Sequence, residues 1–203
     1  MKNSLAVALL SSMTAIGVAQ QQPAPYQIQT DVLGETAYSY KMNHEDESQD
    51  CIVNPAADRF TDDSTPGLKT CTTYGVKQPM AYAGTAADSR QVRFDDDRLY
   101  EVVYSFKSAS GGKEAHGHYY DQLLATLTEK FGKPTETHDS EFANQTGSHL
   151  QNQTSTWKNG VSTIVLAKFV GNLSTTELTF SLDSLEEDAR QQIVATRKHR
   201  SEM

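Results

Sequence analysis

The hydrophobic period of the chain changes most plainly between Val92 and Pro134, and that change limits the fold more than any other feature. From Arg98 to Phe106 the residues alternate, with Tyr100, Val102, Tyr104 and Phe106 on one face and Glu101 and Ser105 on the other. A repeat of two belongs to a half-buried strand. Val92 and Phe94 precede it across Asp95-Asp96-Asp97, so the two runs read as a hairpin. After Gly111-Gly112 the repeat becomes helical. Tyr120, Leu123, Leu124, Leu127 and Phe131 fall on one stripe, with Asp121 in the first turn and Lys130 in the last. Gly132 reads as an αL cap, and Pro134 blocks continuation. A one-striped helix and a one-faced sheet each need cover, and each can supply the other's.

The rest of the chain extends this pattern. Val32 to Met42 predicts a short helix after Gly34, and His44 to Asp50 a solvated acidic loop. Cys51-Ile52-Val53 and Leu68 to Tyr74 predict strands, the second with Lys69, Cys71 and Thr73 on one face. Thr135 to Thr156 is polar and predicts an exposed strand and loop. Asn159-Gly160 predicts a type I′ turn between Ser155–Lys158 and Val161–Val170. Leu178, Phe180 and Leu182 alternate in a further strand. Ser184-Leu185-Glu186-Glu187 reads as a capping box opening a helix to about Lys198, with Leu185, Ala189, Ile193 and Val194 along its apolar edge. Strands that meet through hairpins rather than crossovers give an α+β fold: an antiparallel sheet with one long helix packed on it and a C-terminal helix. The expected partition is a signal peptide over 1–19, a flexible leader over 20–30, an α+β domain over 31–183, and a C-terminal helix and tail over 184–203.

The ends and the charge narrow the function classes. Met1-Lys2-Asn3 is a positive start, Leu5 to Leu10 an apolar run, and Gly17-Val18-Ala19 a small-residue cleavage site after Ala19. That run is too short to span a bilayer. The expected location is periplasmic or secreted, which makes Cys51 and Cys71, the only two cysteines, a disulfide by default. The bond would close a Pro-, Asp-, Thr- and Gly-rich loop and contribute about 3 kcal/mol. The net charge of −8 argues against nucleic acid, whose binders need clustered cations. The one basic cluster, Arg197-Lys198-His199-Arg200, fits a helix C-terminus.

No catalytic motif assembles. Ser110 and Lys113 have S-x-x-K spacing but sit in a Gly-rich loop without the downstream motifs. Gly112-Lys113 is followed by Glu114, so it is not a phosphate loop. Asp95-Asp96-Asp97 lacks the alternation and glycine of a calcium loop and reads as a turn. His116 and His118 offer two imidazoles to Zn or Cu, with His138 or His149 as a third, against the simpler reading of a solvated loop. No cofactor is expected. Asn144, Asn152 and Asn172 begin glycosylation triplets, which carry little weight if the source is bacterial, as the export signal suggests.

The run Phe94 to Leu99, then Val102 to Phe106, Tyr120 to Leu127, Phe131-Gly132-Lys133-Pro134 and Trp157 with a Leu-rich hairpin resembles small bacterial envelope domains laid out like the β-lactamase-inhibitor-like proteins. The resemblance covers about half the chain. It implies binding to another protein rather than catalysis, and carries over no functional residue. The function expected is non-enzymatic protein binding in the envelope or outside the cell, with no membrane span. The alternative is a hydrolase or metal-binding protein centred on His116 and His118.

Overall fold

A computed structural model describes residues 23–44, 49–53, 68–74, 80–108, 117–143 and 149–201. The expected signal peptide, Ser110, Lys113 and His116 lie outside the described residues. The elements run α1 (Ala37–Asn43), β1 (Gln49–Val53), β2 (Leu68–Tyr74), β3 (Ala81–Tyr82), β4 (Thr85–Ala86), β5 (Ser89–Asp95), β6 (Arg98–Lys107), α2 (His118–Phe131), β7 (Glu136–Ala143), β8 (His149–Lys158), β9 (Ser162–Ala167), β10 (Thr175–Leu182) and α3 (Asp183–Ser201). Eight strands form one sheet in the order β1-β2-β5-β6-β10-β9-β8-β7, and β3 and β4 form a small separate hairpin. All pairings are antiparallel. The fold is therefore α+β, as the strand spacing predicts.

The order of strands reveals a plan in two halves. Each half is a helix followed by a four-stranded meander, β1-β2-β5-β6 after α1 and β7-β8-β9-β10 after α2. The two meanders join through their last strands, with Val103 opposite Thr179 at the seam.

One sheet face carries the main core. Val92, Phe94, Val102, Tyr104 and Phe106 from the first half join Trp157, Ile164, Leu166, Leu178 and Phe180 from the second. Tyr40 of α1 and Tyr120, Leu123 and Leu127 of α2 cover them. Leu124 and Phe131 are only half-buried on the flanks, so the buried stripe of α2 is narrower than the apolar residues alone imply. The indole of Trp157 donates to the Gly132 carbonyl at 2.8 Å, fixing the end of α2 to β8. Gly132 has φ +83° and ψ −172°, an extended region open essentially to glycine only, not αL.

Tyr100 corrects the simple alternation. Arg93 pairs with Glu101 but Phe94 pairs with Leu99, so β6 carries a bulge at Tyr100. One extra residue reverses the facing of everything before it. Leu99 therefore joins the main core, whereas Tyr100 packs with Leu68 and Ala189 on the opposite face. That face receives α3, through Leu185, Ala189 and Ile193, while Val194 is exposed. Helix α3 begins at Asp183, which accepts a hydrogen bond from Thr163 at 2.8 Å. Ser184 thus lies inside the first turn and the expected capping box does not form; Glu187 pairs with Arg190 and Gln191 instead.

Three other expectations change. Only Gly160 of the Asn159-Gly160 pair has positive φ, so the turn is not type I′, which needs both. The Asn159 side chain accepts from the Val161 and Ser162 amides instead. Two turns do have positive φ at both residues: Asp96-Asp97 between β5 and β6, and Ala83-Gly84 between β3 and β4. The exposed strand expected within Thr135 to Thr156 is β7, but from His149 the chain pairs back on it as strand β8 where a loop is expected. The leader expected over 20–30 is anchored from Tyr26: the Tyr26 amide donates to Ser162, its ring meets Phe131 edge-on, and Ile28 is fully buried. Among the described residues no helix is long and apolar enough to cross a membrane.

Candidate functional site

The cysteines come together in the backbone. Cys51 and Cys71 are direct partners in the β1–β2 register. Opposed Cα atoms in an antiparallel pair lie about 4.5–5.5 Å apart, inside the span a disulfide bridges.

Among the described residues the histidines do not converge. His118 is exposed as the first residue of α2. His138 lies exposed on β7, and exposed His149 on β8 pairs with Glu141 at 3.0 Å. Among the described residues no three His, Cys, Asp or Glu side chains gather as metal ligands. Asp95 is buried at the α3 face, bound by Gln192 at 2.9 Å. Burial, with Asp96 and Asp188 close by, holds its carboxyl above the usual range.

A polar cluster that the sequence reading missed sits under α1. Asp31, His44 and Arg90 are all buried there, with Tyr40 and Tyr104. His44 Nε2 lies 3.1 Å from Asp31 Oδ1, and Arg90 Nη1 is 3.7 Å from the same oxygen. The Tyr104 hydroxyl donates to Asp31 Oδ2 at 3.0 Å, and Arg90 Nη2 donates to the Tyr40 hydroxyl at 2.8 Å. His44 Nδ1 bonds the Tyr40 carbonyl at 2.8 Å, and the two rings stack 4.2 Å apart. Burial pushes the Tyr104 phenol far up, helped by the Asp31 charge. A guanidinium, an imidazole and one carboxylate so placed need each other, because an unpaired buried charge is costly. The sequence signal was Arg90 itself. It alternates with Val92 and Phe94 on the inward face of β5, where a cation demands a buried partner.

The second sheet face has a different chemistry. A continuous row crosses it: Thr72, Gln91, Val103, Thr179, Val165, Thr156 and Glu136. Helix α3 packs over β5, β6 and β10 near one end of this face. Beneath it Arg93 forms an ion pair with Glu101. Burial holds the Glu101 carboxyl above the usual range, against the pull of Arg93. From Thr179 outward to Thr156 the side chains of the row are half-buried, and Glu136 is exposed.

The row ends at β7, the last strand of the sheet, where Thr135 to Glu141 are all exposed. The β8–β9 pairing stops at Thr154 opposite Ala167, whereas β7 and β8 stay paired from Asp139 opposite Gln153 to Ala143 opposite His149. A two-stranded ribbon therefore runs on past the edge of β9. It carries Asp139 and Glu141, with Glu136 further back along the same strand.

No family model, curated protein or solved structure matches this chain.

Proposed function

We propose that this chain acts by binding another protein, in the envelope or outside the cell, and not by turning over a substrate. The observation that carries the reading is the β7–β8 ribbon, whose outer strand is exposed from Glu136 to Glu141. An exposed edge strand offers unpaired backbone groups to an added strand. Its charges guard against indiscriminate pairing and select for a partner segment of opposite sign. Glu136, Asp139 and Glu141 outnumber the histidine between them, so the partner segment is basic and extended. The half-buried Thr and Val side chains of the adjoining face extend the surface. The resemblance of the sequence pattern to β-lactamase-inhibitor-like proteins implies the same class of function. Export with cleavage after Ala19 belongs to this reading, as does a Cys51–Cys71 bond, for which the strand register is the support.

The test is crosslinking in the native envelope, followed by titration of the recovered partner against the purified protein. The triple variant Glu136→Lys, Asp139→Lys, Glu141→Lys should bind at least tenfold more weakly and associate more slowly at low salt. Equal affinity for the variant would remove the edge from the mechanism. A purified protein that hydrolyses a substrate, and loses that activity on His118→Ala, would overturn the reading altogether.

A further inference from the structure

We propose that His44 is a pH-operated latch, which in its doubly protonated form holds the C-terminal end of α1 and the Ile28–Asp31 turn against the sheet and lets both loosen when one ring proton leaves. The argument starts from what each ring nitrogen faces. Nδ1 faces the Tyr40 carbonyl, which can only accept, so this nitrogen donates. Nε2 faces the Asp31 carboxylate at 3.1 Å, with the Thr30 hydroxyl at 3.4 Å. With both nitrogens protonated, the ring donates to the Tyr40 carbonyl and sets its positive charge beside the Asp31 carboxylate as an ion pair. With Nε2 bare, that charge is lost and the nitrogen's lone pair is left 3.1 Å from a carboxylate oxygen.

The groups that face the ring among the described residues enter the balance. Asp31 comes from the turn before α1, Arg90 from β5 and Tyr104 from β6, while Tyr40 lies one turn back on α1. Burial is the largest influence and favours the neutral ring, as does the Arg90 charge. The Asp31 bond and charge, with the Tyr40 carbonyl, outweigh both, and histidine titrates above its ordinary value. Glu45, Asp46 and Glu47 follow in sequence and lie outside the described residues.

The mechanical link is short. His44 caps α1, its amide bonding the Lys41 carbonyl, and its ring stacks on Tyr40, the buried residue of that helix. The opposite side of α1 exposes Tyr38 and Met42, one turn apart. The state of His44 therefore sets how firmly that exposed pair is presented.

The sign follows from linkage. A group whose folded pKa lies above its unfolded value stabilises fully below the unfolded pKa, and that contribution is lost as pH rises through the folded pKa. Stability should fall through the range just above the ordinary histidine value. The folding constant drops tenfold for each pH unit between the folded and unfolded titration midpoints.

The experiment is NMR titration of the ring nitrogens in the wild-type protein, alongside urea midpoints from pH 6 to pH 9. His44 should carry protons on both nitrogens at pH 6 and titrate above a free histidine, and the Ala37–Asn43 amides should shift with the same midpoint. His44→Gln should flatten this part of the stability curve, and Asp31→Asn should lower the His44 midpoint. A His44 midpoint at or below that of a free histidine overturns the proposal. So does a ring that titrates while the α1 amides stay still. The wild-type titration decides the matter even where a variant does not fold.

Discussion

Replacing Leu123 and Leu124 separately with alanine asks which side of α2 the protein uses. The two residues are neighbours on one helix, and Leu→Ala alters helix propensity equally at both. The difference between the variants therefore reports packing alone. Leu123 is fully buried between α2 and the sheet, whereas Leu124 is half-buried on its flank. Truncation of Leu123 removes three buried carbons. At about 0.8 kcal/mol for each buried methylene, the transfer loss is about 2.4 kcal/mol. The hole is walled by a rigid sheet and closes incompletely, which brings the total to about 3–4 kcal/mol within the usual range for a core leucine. Leu124 loses part of the transfer contribution and leaves no closed cavity, for about 1 kcal/mol. Urea denaturation measures both, provided the slope m is unchanged so that midpoints compare directly. Equal losses, or a larger loss at Leu124, would show that α2 is rotated by about a quarter turn and that the buried stripe Tyr120-Leu123-Leu127 is wrongly placed.

Two further perturbations test separate features. Mild reduction should lower stability by about 3 kcal/mol if Cys51 and Cys71 are bonded, and Cys51→Ser with Cys71→Ser should reproduce that loss without reductant; two titratable thiols in the unreduced protein would exclude the bond. Ala83 sits at φ +50° in the β3–β4 turn, a conformation costing a side-chain-bearing residue about 1 kcal/mol. Ala83→Gly should therefore raise the urea midpoint, and a fall would show that the turn adopts another geometry in solution.

The elements with one strong period were readable from sequence. β5, β6 and α2 carry a repeat that packing on one face reinforces, and β2 matches its expected span from Leu68 to Tyr74. Alternation alone puts Tyr100 on the wrong face because a bulge leaves the composition of a strand unchanged while reversing its facing. The Ser184 cap failed because Asp183, one residue earlier, finds Thr163 and the helix starts there. The polar cluster was hidden by distance along the chain: Asp31, His44, Arg90 and Tyr104 come from four segments. His44 in particular begins an acidic run that looks like solvated loop. Single-sequence patterns report local burial, and a network assembled across a sheet leaves only an incongruous cation, Arg90, as its trace.

The seam between the two meanders has a consequence for how the chain acquires its shape. Strand β6 pairs with β5 as soon as the Asp96-Asp97 turn closes, but its other partner is β10, and Ser105 bonds Glu177 from 72 residues away. Until β10 is in place, β6 is an open edge carrying Val102, Tyr104 and Phe106, and the first half is a curled ribbon with half a core. Such late, long-range closure makes folding slow and exposes a chain stopped short of it to aggregation. The first meander therefore waits for the second. The protein becomes a single cooperative body only when its last strand is laid down, so truncation anywhere before Thr175 should yield not a smaller domain but an aggregating fragment.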